Sequence, residues 1–209
     1  MIDVGIVDDH PVVRLALRQY LESHDDMRVV GEATNAVEAL DVVRTGGLKV
    51  LILDLDLPGR SGLDAMAMLR RQAPKVGVLI FTGYPSEQYA LKLFRMGARA
   101  FVPKNSELDV LANAVRAVGA GRRWILPSQA EMMLPSEQSS RTQLHDVLTY
   151  RELQVLLKLA RGVHSAQIAD NLALSMKSVS TYRTRLLEKL GVASNSELTY
   201  YALKHRLLD

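Results

Sequence analysis

Five short apolar runs, separated by amphipathic segments, restrict what this chain can fold into. The runs are IDVGIV (2–7), RVVG (28–31), KVLILD (49–54), VGVLIFT (76–82) and RAFVP (99–103). Apolar residues that run continuously are typical of strands buried on both faces of a sheet. Strands that alternate with helices form a parallel sheet with right-handed crossovers. The pattern therefore predicts an α/β domain over residues 1–120.

The rest of the chain has a different character. Residues 121–145 contain two prolines and a serine cluster without sustained periodicity, which indicates a linker. Residues 146–209 show only helical patterns, and each pattern follows a capping residue. These caps are Thr149 with Glu152, Ser165, Ser175, and Ser194 with Glu197. We therefore expect a small all-α domain of four helices.

Composition excludes several classes of protein. There is no cysteine, so disulfides and thiolate metal sites are impossible, and the five histidines lack a ligand spacing. No apolar run reaches the roughly 18 residues that a membrane span needs. The acidic start MIDVGIVDD is unlike a signal peptide. We expect a cytoplasmic protein.

The positive charge is concentrated in the C-terminal part of the chain. Residues 1–145 hold equal numbers of basic and acidic side chains, whereas residues 146–209 hold 9 basic and 6 acidic ones. The net charge of +3 therefore lies in the helical domain. This placement favours a polyanionic partner such as nucleic acid. An ordinary solvated surface would explain the charge count equally well.

Polar side chains stand where the predicted strands end. Asp8 and Asp9 follow the first strand, Asp54 follows the third, Thr82 ends the fourth and Lys104 follows the fifth. The carboxyl ends of parallel strands are where such sheets bind ligands. Clustered carboxylates call for a hard cation such as Mg²⁺, and a hydroxyl and an ammonium suit phosphoryl oxygens. Each residue alone has an ordinary explanation, but their agreement predicts a phosphoryl-transfer site.

The helical pattern over 175–190 has two unlike sides. Apolar residues fall on one side, whereas hydroxyls and bases fall on the other. The polar set is Lys177, Ser180, Thr181, Thr184 and Arg185, with Lys189 adding charge near the end. Such a face suits the major groove of DNA, where hydroxyls approach base edges and cations hold phosphates. A solvated helix face is the alternative.

The motifs VDDHP, LILDLDLPGRSG, IFTG and VPK resemble the receiver domain of bacterial two-component response regulators over residues 2–120. The resemblance implies a flavodoxin-like fold with strand order 2-1-3-4-5. It implies that Asp54 accepts a phosphoryl group from a sensor histidine kinase or a phosphotransfer protein. Asp8, Asp9, Asp54 and the backbone carbonyl of Asp56 would bind Mg²⁺.

The same resemblance assigns the remaining positions of the receiver. Thr82 and Lys104 would contact the phosphoryl oxygens, and Thr82 and Phe101 would act as the switch. Three positions depart from the common family pattern. Gly83 stands where alanine is usual, Phe101 where tyrosine is frequent, and Asn105 where many receivers have a proline.

Residues 148–208 resemble the LuxR-type helix-turn-helix, which together with a receiver is the NarL/FixJ-type architecture. The resemblance implies that 176–190 is the recognition helix and that Ser180, Thr181 and Thr184 match base-contacting positions. Lys177, Arg185 and Lys189 complete the predicted DNA-binding set. We also expect a homodimer, because two-fold symmetric proteins match paired half-sites.

The leading hypothesis is a transcription regulator controlled by phosphorylation, whose only catalysis is its own phosphoryl transfer and dephosphorylation. An enzyme is the first alternative, because Asp54 and Asp56 have the D-x-D spacing of haloacid-dehalogenase-like phosphatases. That alternative leaves Asp8 and Asp9 unexplained, and Pro58 is unusual for it. The second alternative is a receiver scaffold that acts without phosphorylation on the same DNA-binding module.

Overall fold

The structure is a computed structural model that describes the chain except residues 45, 59–61, 84–86, 128–129, 131–143, 206 and 209. Within the helices and the short 3-10 turn, the side chains of 62–64, 87–89, 91–92, 146 and 150 are likewise not described. The chain forms two compact units, Met1–Leu134 and Pro135–Asp209.

The first unit is built on a parallel sheet of five strands with the order β2-β1-β3-β4-β5. The strands are β1 Ile2–Val7, β2 Met27–Ala33, β3 Val50–Leu53, β4 Gly77–Thr82 and β5 Ala100–Pro103. All five predicted strands and the predicted strand order are confirmed. The register pairs Val7 with Leu53 and Leu53 with Ile80, so the carboxyl ends of the three central strands lie side by side.

Helices cover both faces of this sheet. They are α1 Pro11–Glu22, α2 Ala36–Arg44, α3 Gly62–Gln72, α4 Glu87–Met96 and α5 Leu108–Gly119. One face forms a buried core in which Leu17 and Leu21 of α1 and Val115 of α5 pack on Ile6 and Leu79. On the opposite face α2 approaches the sheet closely, because β1 and β2 carry glycines beneath it.

The second unit is entirely helical in its described residues. It begins with a 3-10 turn over Leu144–Val147 and continues with α6 Tyr150–Ala160, α7 Ser165–Asn171, α8 Met176–Leu190 and α9 Asn195–Lys204. A core of apolar side chains, among them Leu156, Ile168, Val179, Leu186 and Leu198, is fully buried. The predicted four-helix domain is therefore confirmed.

Most of the predicted caps are present. Thr149 and Glu152 form a reciprocal capping box at α6, and Ser175 and Ser194 accept the expected backbone hydrogen bonds at α8 and α9. The prediction for Ser165 is wrong. His164 takes the cap position of α7 without a side-chain hydrogen bond, and Ser165 is already helical.

The chain that follows α5 remains attached to the sheet. The backbone N–H of Trp124 donates to the carbonyl oxygen of Arg99 at 2.8 Å, and Trp124 forms a bridge with Ala100. The first residues of the predicted linker, 121–145, are therefore tied to β5. Most of its remaining residues lie outside the described ones, so the domain limits at 120 and 145 stay predictions. Among the described residues, no helix has the length and apolarity of a membrane span.

The contact between α2 and the sheet gives a first testable prediction. A Cβ added at Gly31 would lie 2.8 Å from Cγ1 of Val42, a distance that real side chains do not tolerate. Val42 is β-branched and stiff, so it has little freedom to move away. We expect Gly31→Ala to lower the free energy of unfolding by about 1–3 kcal/mol, as overpacking does. Urea unfolding followed by fluorescence of Trp124, the single tryptophan, measures the change.

Gly83→Ala is the matched control, because it makes the same chemical change in an open place. No atom lies within 4 Å of a Cβ built at Gly83, and that residue is exposed. We expect its unfolding midpoint to stay within experimental error of the wild type. Equal midpoints for Gly31→Ala and Gly83→Ala would show that α2 is not closely packed on β2.

Candidate functional site

Two buried carboxylates lie side by side at the carboxyl edge of the sheet. Asp8 follows β1 and Asp54 follows β3, and each is only 2% exposed. The hydrogen bonding of the sheet continues through their backbones. The Asp54 N–H donates to the Val7 carbonyl at 2.8 Å, and the Asp8 N–H donates to the Ala33 carbonyl at 3.1 Å. Sheet pairing therefore fixes the separation of these two acids before their side chains are considered.

The ammonium of Lys104 bridges these carboxylates. Its Nζ lies 2.6 Å from Oδ2 of Asp8 and 2.7 Å from Oδ2 of Asp54. The backbone N–H of Lys104 donates to the carbonyl of Thr82 at 2.8 Å, which extends the pairing of β4 and β5 and holds the lysine at this edge. Burial alone would lower the pKa of Lys104, but the charges and hydrogen bonds of Asp54 and Asp8 outweigh it and raise the pKa.

A metal ion could be held beside this bridge. Asp8, Asp9, His10 and Asp54 each offer a ligand atom, and these atoms lie within 4.8 Å of one another. Three carboxylates are the hard oxygen donors that divalent cations such as Mg²⁺ prefer, so the donor set fits. The acidic cluster predicted from the strand ends is therefore present, and it is consistent with divalent metal binding.

His10 is a member of this cluster that the sequence reasoning did not include. Its Nδ1 lies 2.7 Å from Oδ1 of Asp9 and 3.1 Å from Oδ1 of Asp8, and its backbone N–H donates to the same Asp8 oxygen at 2.8 Å. The motif DDHP placed it next to both acids, which was the only available signal. The ring is 60% exposed, so it lies at the mouth of the cluster.

The other predicted receiver residues surround the same edge. The backbone N–H of Asp56 donates to Oδ1 of Asp54 at 3.2 Å, which orients that carboxylate. Thr82 ends β4 and is fully buried, and Phe101 is buried in β5 beside Ile80. The metal contact of the Asp56 carbonyl and the switch roles of Thr82 and Phe101 stay predictions.

Helix α8 presents a polar face to solvent. Val179, Leu186 and Leu190 are buried against the other helices. All five residues of the predicted polar face are exposed, namely Lys177, Ser180, Thr181, Thr184 and Arg185. The hydroxyls of Thr181 and Thr184 donate to backbone carbonyls of their own helix at 2.9 and 3.2 Å, so their oxygens remain outward as acceptors.

Lys189 has a different environment from the rest of the predicted DNA-binding set. Its Nζ lies 2.9 and 2.7 Å from the two carboxylate oxygens of Glu152, which is 2% exposed. Glu152 also accepts the N–H of Thr149 at 2.7 Å in the capping box of α6. Lys189 therefore ties the end of α8 to the start of α6, and its contact with DNA stays a prediction.

Comparison with known proteins decides the family. Residues 4–116 match the response regulator receiver domain, and residues 146–202 match the bacterial regulatory proteins of the luxR family. The chain belongs to the two-component response regulators. BvgA, a positive transcription regulator of virulence factors in Bordetella pertussis, is 38% identical over 98% of both chains. The response regulator GacA of Pseudomonas protegens is 36% identical over 100% of this chain and 99% of its own.

A solved structure matches both units of this response regulator. RcsB of Salmonella enterica serovar Typhimurium, bound to the promoter rprA in the presence of a phosphomimetic, aligns with a TM-score of 0.67. The identity is 25%, and the match covers 96% of this chain and 98% of RcsB. The predicted receiver and LuxR-type DNA-binding domain are confirmed. The chain is a regulator of transcription and not the phosphatase that the D-x-D spacing allowed.

The buried ion pair of this response regulator generates a prediction about stability. Burial would raise the pKa of Glu152, but hydrogen bonds from Lys189 and Thr149 outweigh it and lower the pKa below 4.5. Glu152→Gln keeps a capping oxygen and loses the charge, so we expect a loss of about 1–3 kcal/mol at pH 7. Because the folded pKa is depressed, this contribution is complete above the unfolded pKa, declines below it and is lost as the pH falls through the folded pKa. Urea unfolding at pH 7 and pH 4, followed by helical circular dichroism, measures both effects.

Glu197→Gln provides the matched control. Glu197 occupies the same position in the cap of α9, where Ser194 accepts its N–H at 3.2 Å, but it is exposed and pairs with no cation among the described residues. We expect only a small change in stability at either pH. Equal losses for the two variants would assign the effect to capping and not to Lys189.

Proposed function

We propose that Asp54 is the phosphoacceptor of this response regulator and that a sensor histidine kinase or a phosphotransfer protein supplies the group. The observation that supports this role is the bridge from Lys104 to Asp8 and Asp54, which sets a cation beside a buried carboxylate. Such a cation is suited to the negative charge that spreads over phosphoryl oxygens during transfer.

The transfer itself is a nucleophilic displacement. An oxygen of Asp54 attacks the phosphorus of a phosphohistidine, the oxygen–phosphorus bond forms, and the phosphorus–nitrogen bond breaks with its electron pair going to the imidazole. Asp54 changes from a single negative charge to an acyl phosphate with more than one. Lys104, already 2.7 Å from this carboxylate, then pairs with the phosphoryl oxygens, and Thr82 offers its hydroxyl to them.

The divalent ion is proposed to be Mg²⁺. The carboxylates of Asp8, Asp9 and Asp54 and the backbone carbonyl of Asp56 would hold it. When bound there, the ion would neutralise the negative charge of the carboxylates and of the phosphoryl oxygens. The Asp56 N–H keeps one oxygen of Asp54 oriented at 3.2 Å, while Lys104 holds the other.

The signal is proposed to pass from the acidic edge through Thr82 and Phe101. Thr82 lies directly beside β5, because its carbonyl accepts the N–H of Lys104, and Phe101 is buried in that strand. A shift of Thr82 toward a phosphoryl group therefore disturbs β5 and the packing of Phe101. The result is a homodimer that occupies paired half-sites on DNA in the cytoplasm.

The output is proposed to act through the exposed face of α8 in the major groove. In this proposal Ser180, Thr181 and Thr184 meet base edges, and Lys177 and Arg185 hold phosphates. All five side chains are exposed, which supports the proposal. The Lys189–Glu152 ion pair and the bond from Arg183 Nε to Asn195 Oδ1 at 2.7 Å fix α8 to its neighbouring helices. A rigid recognition helix loses little entropy on binding.

Replacing Asp54 tests the phosphoacceptor. We expect Asp54→Asn to abolish incorporation of ³²P from labelled acetyl phosphate in the presence of Mg²⁺, because the amide cannot form the acyl phosphate. Labelling is measured after denaturing gel electrophoresis. Asp56→Asn is expected to keep its labelling, since the carbonyl and not the carboxylate is the proposed ligand.

Asp25→Asn is the control for this experiment, because Asp25 is an exposed carboxylate outside the acidic edge. It is expected to label like the wild type. Undiminished labelling of Asp54→Asn would overturn the assignment. If the wild type labels and promoter affinity stays the same before and after labelling, the receiver acts as a scaffold independent of phosphorylation.

The DNA-binding face predicts a defined salt dependence. Lys177→Ala and Arg185→Ala should each weaken promoter binding and reduce the slope of log affinity against log salt by about one, because each removes a phosphate contact. Fluorescence anisotropy of labelled promoter DNA between 50 and 200 mM salt gives the slopes. Unchanged slopes in both variants would show that DNA does not bind to this face of α8.

Lys204→Ala is the matched control for charge. Lys204 is exposed on α9 and lies outside the proposed face, yet its removal changes the net charge equally. We expect its slope to remain that of the wild type. Lys189→Ala tests the remaining predicted contact. Loss of the Glu152 pair lowers stability in either case. A salt slope reduced by about one assigns Lys189 a phosphate contact, and an unchanged slope removes it from the DNA-binding set.

A further inference from the structure

A basic pocket lies at the edge of the receiver sheet opposite to the acidic cluster. Its volume is about 340 Å³, and it opens where β4 and β5 begin. Three arginines line it, namely Arg70, Arg99 and Arg123, and the surface that it presents is mostly polar. Its described lining contains no acidic residue. The pocket therefore offers concentrated positive charge.

Three separate elements bring the arginines together. Arg70 belongs to the last turn of α3, Arg99 directly precedes β5, and Arg123 lies in the segment after α5. The Arg99 N–H donates to Val78 at 2.8 Å, and the Trp124 N–H donates to the Arg99 carbonyl at 2.8 Å. This pairing places the backbone of Arg123 beside that of Arg99. The arrangement is therefore built into the sheet and its edge.

Two glycines shape the floor of the pocket. Gly97 and Gly121 have φ angles of +104° and +78°, a region that favours glycine. A Cβ at Gly97 would lie 2.7 Å from Nη1 of Arg70, and one at Gly121 would lie 3.6 Å from Nη1 of Arg99. The side chain of Arg70 thus lies against the backbone of Gly97, which has no side chain to exclude it. Its Nη1 donates to the Met96 carbonyl at 2.8 Å. That bond uses one of its five donors and leaves the others available.

The guanidinium groups of Arg99 and Arg123 have no hydrogen bond or ion pair to any of the residues that the structure describes. Other arginines of the same unit do pair with acids. Arg28 lies 2.8 Å from Asp3, and Arg116 lies 2.8 Å from Asp26. Two guanidinium groups without acidic partners, beside a third, produce a local excess of positive charge that an anion would neutralise.

We propose that this pocket binds an anion that carries a diphosphate group. Guanidinium forks match phosphate oxygens two at a time, which makes arginine suited to this chemistry. The volume falls in the range of small-ligand sites. The site is independent of Asp54, since it lies at the other end of the strands.

Calorimetric titration of the full chain with adenosine diphosphate, inorganic pyrophosphate and adenosine tests the proposal. EDTA is present throughout, so that no divalent ion links an anion to the acidic cluster. We expect adenosine diphosphate and pyrophosphate to bind and adenosine not to bind, because only the first two carry the diphosphate that the arginines would hold. Trp124, the single tryptophan, adjoins Arg123 and gives an independent fluorescence readout.

Single substitutions locate the site. Arg99→Gln and Arg123→Gln should each lower the affinity for adenosine diphosphate about ten-fold, the loss expected for one charge-assisted contact. Arg95→Gln removes an exposed arginine that does not line the pocket, so its affinity should equal that of the wild type. Urea unfolding confirms that each variant is folded.

Three results would overturn the proposal. The first is an absence of binding by the wild type at about 1 mM adenosine diphosphate, the weak limit of a specific site. The second is binding that neither Arg99→Gln nor Arg123→Gln weakens. The third is equal affinity for adenosine and adenosine diphosphate, which would show that the pocket does not recognise the diphosphate group.

Discussion

The ion pairs of Lys104 with Asp8 and Asp54 are the interaction on which the receiver depends. Two carboxylates that are 2% exposed would repel each other and would each be costly to bury alone. One ammonium within 2.7 Å of both offsets that cost. Strand pairing fixes the acids and the lysine at the ends of three different strands, so the fold itself holds this charge arrangement in place.

Charge is divided between the two edges of the sheet. The carboxyl edge gathers Asp8, Asp9 and Asp54 around one lysine, whereas the opposite edge gathers Arg70, Arg99 and Arg123 without an acid in the described lining. The acidic edge suits a cation and a phosphoryl group, and the basic edge suits an anion. A single sheet can therefore carry two sites of opposite charge without mutual interference.

In the helical unit, the buried carboxylate of Glu152 positions two helices. Glu152 completes the cap of α6 and pairs with Lys189 of α8, so a single buried carboxylate fixes both the start of one helix and the end of another. The sequence placed Lys189 in the predicted DNA-binding set, and no pattern along its own helix could indicate that Glu152 pairs with it. The partner that engages Lys189 is 37 residues away in sequence.

The sequence by itself determined the five strands, their alternation with helices, most of the caps and the acids at the strand ends, because these depend on periodicity and short-range chemistry. Asp8, Asp9, Asp54 and Lys104 could be grouped in advance, since parallel strands end at a common edge. Only the tertiary structure decided that Lys104 bridges two acids, that His10 joins the cluster, that Glu152 engages Lys189 and that three arginines share a pocket. Apart from His10, these contacts join residues far apart in the chain, and in every case the reach and rotamer of each side chain depend on packing that no local pattern records.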